Sequence, residues 1–280
     1  MSVDTDTNRP LLSIVTVSRN AAATIGDTLR TVDPMLAGQR VVEHWIVDGA
    51  STDGTAELVA ADCRPMRQHV SEPDNGLYEA MNKGLRLARG TYVWYLNAND
   101  FLHPTLGASW PWLLELLEQH RPPIVVGEIQ MFRETERGAR PTRYWRAPRS
   151  IEHARRFGWH PPHPAFIAER ELLLSLGGFD ETKRIAADFK LMTQALAATA
   201  GRAIAFPHPL VAMREGGVSN GSIRQIIRAN CECYRALREL GTSPVSAALG
   251  ISVKLARKVG QKFASGDRGV KLEAPGHLRA

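Results

Sequence analysis

Four short apolar runs, each ended by a polar or acidic residue and each separated from the next by a helical pattern, constrain this chain more than any other feature. Residues 11–17 are a compact, β-branched stretch closed by Ser18-Arg19-Asn20, and read as a buried strand. Ile25, Leu29 and Val32 then recur at helical spacing. Residues 41–47 form a second strand ending at Asp48-Gly49, and Asp53 is placed to cap the next helix. His69-Val70 marks a short third strand. Leu77, Met81, Leu85 and Ala88 share one helix face, with Asp74-Asn75-Gly76 ahead of it and Gly90 expected as its C′ residue. Residues 91–96 are a fourth strand, ending at Asn97-Ala98-Asn99-Asp100. Alternation with such short links requires crossover connections, hence an α/β fold on a mostly parallel sheet. Ser18, Asp48 and Asn97 to Asp100 sit past the strand ends, the edge where such sheets bind ligands.

From about Pro122 the pattern changes. Residues 124–132 and 143–146 read as strands of a mixed sheet, and the basic, proline-containing stretch 134–141 as a loop between them. Residues 165–167 are a further strand, after His160-Pro161-Pro162-His163. Helical patterns cover 188–200, 222–240 and 244–263.

The net charge of +6 is concentrated in residues 221–280, with eleven Lys and Arg against four Asp and Glu, while the body is near neutral. That placement speaks against a nucleic-acid protein, whose basic residues spread over a folded face. The three cysteines, Cys63, Cys231 and Cys233, have neither disulfide-framework nor zinc spacing and read as free thiols of a reducing cytoplasm. No run approaches the roughly 18 apolar residues of a spanning helix, so a soluble or membrane-surface chain is expected.

Each candidate site residue carries a plainer alternative. Asp48 can accept from a base or ribose, or close an Asx turn with Gly49. Asp100 can hold a divalent cation beside a diphosphate, or cap a loop before Pro104. Asp188 can abstract a proton from a hydroxyl, or cap the helix it opens. His163 can face an acceptor, or be structural in its proline-rich turn. The stretch Glu215-Gly216-Gly217-Val218-Ser219 can fold over a donor or be an ordinary loop.

Taken together, five segments occur in one order: Ser13 to Asn20, Val47 to Thr55, Ser71 to Gly84, Tyr95 to Asp100, and Gly177-Gly178-Phe179-Asp180 with Ala187-Asp188. This order resembles the family 2 glycosyltransferases of the GT-A fold, in the branch associated with exopolysaccharide and colanic-acid-type synthesis, over about residues 11–220. The resemblance implies a Rossmann-like central sheet flanked by helices, with a nucleotide-binding half (11–100) and a smaller mixed-sheet acceptor half (101–220); outside it, the residue pattern itself reads as C-terminal helices (221–264) and loose ends at 1–10 and 265–280. It implies an inverting transfer from a UDP- or GDP-sugar to a hydroxyl of a saccharide or lipid-linked acceptor, in polysaccharide or glycolipid synthesis. Thr16 and Ser18 would line the nucleotide pocket, Asp48 and Asp74 would contact base or ribose, and Lys83 would lie near the diphosphate. Asp100 would bind Mn²⁺ or Mg²⁺, Asp188 would be the base, and His163 would sit on the acceptor side. Asn99 departs from the family's usual Asp and is the weaker cation ligand, left to the ribose.

Two other readings compete. A nucleotidyltransferase would want a glycine-rich loop after the first strand, and residues 18–24 contain no glycine. A non-catalytic nucleotide-binding or membrane-surface protein is the second. A dinucleotide oxidoreductase lacks its G-x-G-x-x-G after Val17. Residues 244–263 carry Lys254, Arg257, Lys258, Gln261 and Lys262 on one face and Leu249, Ser252, Val253, Ala256, Val259 and Phe263 on the other. Such a helix suits the anionic inner face of a cell membrane, or packs its apolar side on the body.

Overall fold

The computed structural model describes residues 9–37, 41–62, 64–135, 138–156, 159–215 and 223–263. The parallel half contains β1 (Leu12–Ser18), α1 (Ile25–Leu36), β2 (Val42–Asp48), α2 (Thr55–Ala61), β3 (Arg67–Ser71), α3 (Leu77–Leu87) and β4 (Tyr92–Tyr95). After β5 (Phe101–Leu102) and α4 (Leu106–Glu115) come β6 (Ile124–Thr135), β7 (Gly138–Trp145), α5 (Ile151–Arg156), β8 (Phe166–Glu169), α6 (Arg170–Ser175), α7 (Ala187–Ala198) and β9 (Ile204–Arg214). Helices α8 (Ile223–Glu239) and α9 (Pro244–Phe263) follow.

The nine strands form one sheet in the order β3-β2-β1-β4-β8-β6-β9-β5, with β7 paired beside β6. Strands β3, β2, β1 and β4 are parallel, as strand–helix alternation requires. Beyond β4 the sheet is mixed, with β8 antiparallel to both β4 and β6. One face packs Val15, Val47 and Tyr95 against Met81 and Leu85 of α3. The other packs Leu12, Ile14 and Trp94 with Val32 of α1 and Leu106 of α4. Each fully buried side chain of this size contributes about 1.5–3 kcal/mol relative to exposure. Helix α3 lies so close to β1 that a Cβ at Gly84 would overlap Val15.

Two local expectations are corrected. Gly90 is not a left-handed C′ residue, because α3 ends at Leu87 with Ala88 as its cap. Gly90 is needed instead for close approach: its N–H donates to Ser13 Oγ at 2.7 Å, where a Cβ would collide. Residues 134–141 are not a simple loop, since β6 and β7 pair through Arg133↔Arg140, Glu134↔Ala139 and Thr135↔Gly138. Pro141 is tolerated where the register shifts between Met131 and Phe132, a bulge needing no N–H there.

Helix α8 packs on α7, and α9 on α8 and β7. Within α9, Ala247 is buried and Lys254 lies 5.1 Å from the Phe189 ring of α7, so this part packs on the body. Val245 and Leu249 are 77% and 64% exposed. The side chains of residues 257–263 are outside the described ones, as are residues 1–8, 216–222 and 264–280. Among the described residues no helix is long and apolar enough to cross a membrane.

Candidate active site

Three parallel strand ends place Ser18, Asp48 and Ser71 abreast, because Ser18 pairs with Asp48 and Asp48 with Ser71 in register. The Asp48 carboxylate, 2% exposed, accepts from Ser18 Oγ at 2.9 Å, Ser71 Oγ at 2.8 Å and the Ser51 N–H at 2.9 Å. Burial alone would raise its pKa, but these donors and the Ser51 hydroxyl hold it below the usual carboxylate range. Asp74 lies against Gly49, where a Cβ would overlap its carboxylate, and accepts the Gly76 N–H at 3.0 Å. Arg19 approaches it at 3.6 Å. Asp53 accepts the Thr55 N–H at 3.1 Å and the Ala22 N–H at 3.0 Å. The cap position itself is taken by Gly54, with φ of 93°.

Thr16 is not at the pocket surface. It is fully buried two residues back along β1 from Ser18, with its hydroxyl 2.9 Å from His44 Nε2. Arg67 Nε donates to His44 Nδ1 at 3.1 Å, which fixes Nε2 as the protonated nitrogen, since a guanidinium only donates. Burial, then the Arg67 charge, keep His44 neutral. Lys83 is turned to the loop before α3, donating to the Pro73 carbonyl at 2.8 Å and pairing with Glu72 at 3.1 Å and Glu79 at 3.3 Å.

At the end of β4, Asn99 is exposed and Asp100 buried. Asp100 accepts from the Arg214 N–H at 3.1 Å and the Asn97 amide at 3.2 Å. Burial pushes its carboxyl up to about 7, against the hydrogen bonds from Asn97 and Arg214. Arg214 also donates to the Asn99 carbonyl at 3.4 Å and so clamps this loop from β9. Sequence reasoning missed that clamp. Among the described residues no group of three His, Cys, Asp or Glu gathers. Asp100 is the one carboxylate of this loop, and Asn97 turns its amide nitrogen to it, so the loop offers a cation a single charged oxygen ligand. It fits a hard cation that draws its other ligands from a diphosphate, and does not fit one held by protein alone.

Asp188 stands in the first turn of α7. The N-cap position is held by Ala186, with no side-chain cap, and Glu232 of α8 accepts the N–H groups of Arg184, Ile185 and Ala186 that lead into the helix at 3.2, 2.9 and 3.2 Å. Asp188 Oδ1 accepts from the Tyr78 hydroxyl at 3.3 Å and the Phe189 N–H at 2.8 Å, while no described residue donates to Oδ2. The loop before α7 is fixed by Asn82 of α3, which accepts the Phe179 N–H and donates to the Phe179 carbonyl, both at 2.8 Å. Gly178, with φ of 70°, leaves room for that amide.

Asp188 and His163 line one cavity of about 220 Å³, walled by Trp145, Trp159, Phe189 and Met192 and covered by α8 and α9. The His163 ring stacks on Tyr95 at 5.6 Å and meets Phe179 edge-on at 5.8 Å. Burial lowers its pKa, against the Asp188 charge, and keeps it neutral. Tyr78, Glu232 and Arg143 of this region were not singled out in the sequence. Only Tyr78 carried a signal, one residue into the helix of the Ser71 to Gly84 segment.

A parallel half ending in an acidic loop, joined to a mixed half with a carboxylate-lined cavity, defines a glycosyltransferase of the GT-A class. The profile described as glycosyl transferase family 2 matches residues 13–173, more than half of the chain, and the chain belongs to that family. An uncharacterized glycosyltransferase of Mycobacterium tuberculosis is 29% identical over 197 residues, covering 68% of this chain and 70% of that one. A PGL/p-HBAD biosynthesis glycosyltransferase of Mycobacterium tuberculosis is 32% identical over 97 residues, 34% of this chain and 37% of that one. Among solved structures, S. aureus TarS 1-349 in complex with UDP-GlcNAc aligns with a TM-score of 0.63 at 16% identity, covering 90% of this chain and 72% of that one. The mannosyltransferase PcManGT of Pyrobaculum calidifontis, in complex with GDP-Man and Mn²⁺, aligns with a TM-score of 0.62 at 23% identity, covering 92% and 74%. These likenesses establish the GT-A fold.

Proposed function

We propose that the chain transfers a sugar from a nucleotide-diphosphate sugar to an acceptor hydroxyl with inversion, in polysaccharide or glycolipid synthesis, and that Asp188 is the base. The observation that carries this is the Asp188 carboxylate itself. One of its oxygens is held by Tyr78, the other meets no donor among the described residues, and the residue lines a cavity of about 220 Å³. Ser18, Asp48, Asp74 and Asn99 form the donor floor at the sheet edge. Thr16 supports it from beneath through His44, and Lys83 steadies the Asp74 loop from α3.

The acceptor hydroxyl gives its proton to Asp188 Oδ2 as its oxygen bonds to the anomeric carbon. The bond from that carbon to the diphosphate oxygen breaks, and its electron pair leaves with the nucleoside diphosphate. Attack opposite the leaving group inverts the anomeric centre. Asp100, oriented by the Asn97 amide, would hold Mn²⁺ or Mg²⁺, which when bound neutralises charge on the leaving diphosphate. Neutral His163 stays a packing partner on the acceptor side and does not compete for the proton. Exposed Val245 and Leu249 on α9 support docking on an anionic membrane at the cytoplasmic face, where a lipid-linked acceptor resides.

The test is a thermal-shift panel of UDP- and GDP-sugars with and without Mn²⁺, since a ligand of the folded state raises stability with saturation. One of the donors should stabilise the chain, more so with Mn²⁺, and Asp100→Ala should remove the metal-dependent part. A chain that no nucleotide sugar stabilises overturns the proposal.

A further inference from the structure

The cavity beside Asp188 holds cationic and N–H groups that proton abstraction does not use. Arg143 of β7 lines it and is 8% exposed, yet its Nε is buried without an acceptor among the described residues. Trp145 Nε1, two residues on and lining the same cavity, is also buried without one. The guanidinium lies 4.6 Å from the Trp145 ring centroid, which supports its charge but takes none of its hydrogen bonds. Lys254, a second lining residue, meets Cys233 Sγ at 3.0 Å and the Phe189 ring rather than a carboxylate. Asp188 is the one acid among the described lining residues, and its own contacts are to Tyr78 and Phe189. Burial pulls the Arg143 pKa down and the charge of Glu215 offsets only part of that, so an oxyanion bonded to the guanidinium would relieve the rest.

The geometry points to an anionic acceptor: a saccharide or glycolipid bearing a carboxylate or phosphate that Arg143 receives in the cavity where its hydroxyl meets Asp188. A planar guanidinium matches two oxyanion oxygens at once, and the buried Trp145 N–H offers a further donor. Trp159, Phe189 and Met192 supply an apolar wall for the rest of the ligand. Pairing at this buried guanidinium is stronger than at the surface, because the local dielectric is lower. A neutral sugar would leave the buried Arg143 Nε with no acceptor from the described residues and no oxyanion beside it. The inference rests on the reading of Asp188 as base, which makes this cavity the acceptor's.

The test uses phenyl phosphate, benzoate and phenol as probes, followed by tryptophan fluorescence and melting temperature in the full chain. At least one anion should bind tenfold or more tighter than phenol, and the tighter of the two names the oxyanion. Arg143→Gln should erase that preference and Arg143→Lys keep part of it. Arg143→Gln should melt no lower than wild type, since it removes a buried charge whose Nε has no acceptor among the described residues, and should bind UDP- or GDP-sugar unchanged. The inference is overturned if wild type binds none of the three probes, binds phenol as tightly as the anions, or keeps its preference in Arg143→Gln. Loss of donor binding in that variant overturns it too, by moving Arg143 to the donor's diphosphate. If Asp188→Asn transfers sugar normally while Arg143→Gln loses the anions, the base assignment fails and the anion site stands.

Discussion

The hydroxyl of Tyr78, in the first turn of α3, donates to Asp188 Oδ1 at 3.3 Å across 110 residues of sequence. The same α3 entry holds Asp74 through the Gly76 N–H at 3.0 Å. One short segment therefore holds both the Asp74 loop, proposed as part of the donor floor, and the Asp188 carboxylate.

Tyr78→Phe should fold normally, because the ring also stacks on Phe179 at 5.8 Å and that contact is kept. A hydrogen bond to a charged group contributes about 1.5–3 kcal/mol, so kcat should fall roughly 10- to 100-fold with donor affinity unchanged. Steady-state kinetics check this. An unaltered kcat would remove Tyr78 from the machinery.

Gly49→Ala should weaken donor binding by about tenfold or more, because its Cβ would overlap the Asp74 carboxylate and push it from the floor. Calorimetric titration with the preferred nucleotide sugar reads this directly. Equal affinity would mean that Asp74 does not contact the donor.

Asp48 is held below the ordinary carboxylate range, so its interactions stabilise the fold above the unfolded value near 3.9 and are lost as pH falls through the folded value. The melting-temperature gap between wild type and Asp48→Asn should be level above about pH 5 and shrink in more acidic buffer. A gap that widens in acid would contradict the serine-bonded carboxylate.

The parallel half was legible because β-branched runs with short links leave one arrangement open to them. What escaped was non-local. Gly90 is a glycine because of Ser13, on a strand 77 positions away, and not because of the helix beside it. Thr16 shares a sheet face with Ser18 but lies about 6–7 Å deeper, two strand residues back, so its role passes to His44. Asp188 looked like a cap, but it lies inside the first turn of α7, past Ala186 at the N-cap position, and its partner Tyr78 is 110 residues away in sequence. Arg143 reads as one more charge in a basic stretch until β7 pairs with β6 and buries it.

Helix α9 leaves Val245 and Leu249 exposed while Ala247 and Lys254 are engaged with the body. Val245→Asp with Leu249→Asp should therefore fold and lose sedimentation with anionic vesicles at low salt, since an interfacial helix binds through its apolar face. Binding that survives both changes would return α9 to a packing role.

The central claim is that Asp188 takes the acceptor's proton, and the most direct measurement is the transfer rate of Asp188→Asn alongside its donor affinity. Removal of a general base costs roughly 10²–10⁴-fold, so transfer should fall by at least two orders of magnitude while the variant binds nucleotide sugar and melts as wild type does. Near-normal transfer by Asp188→Asn would contradict the account and leave that carboxylate a structural partner of Tyr78.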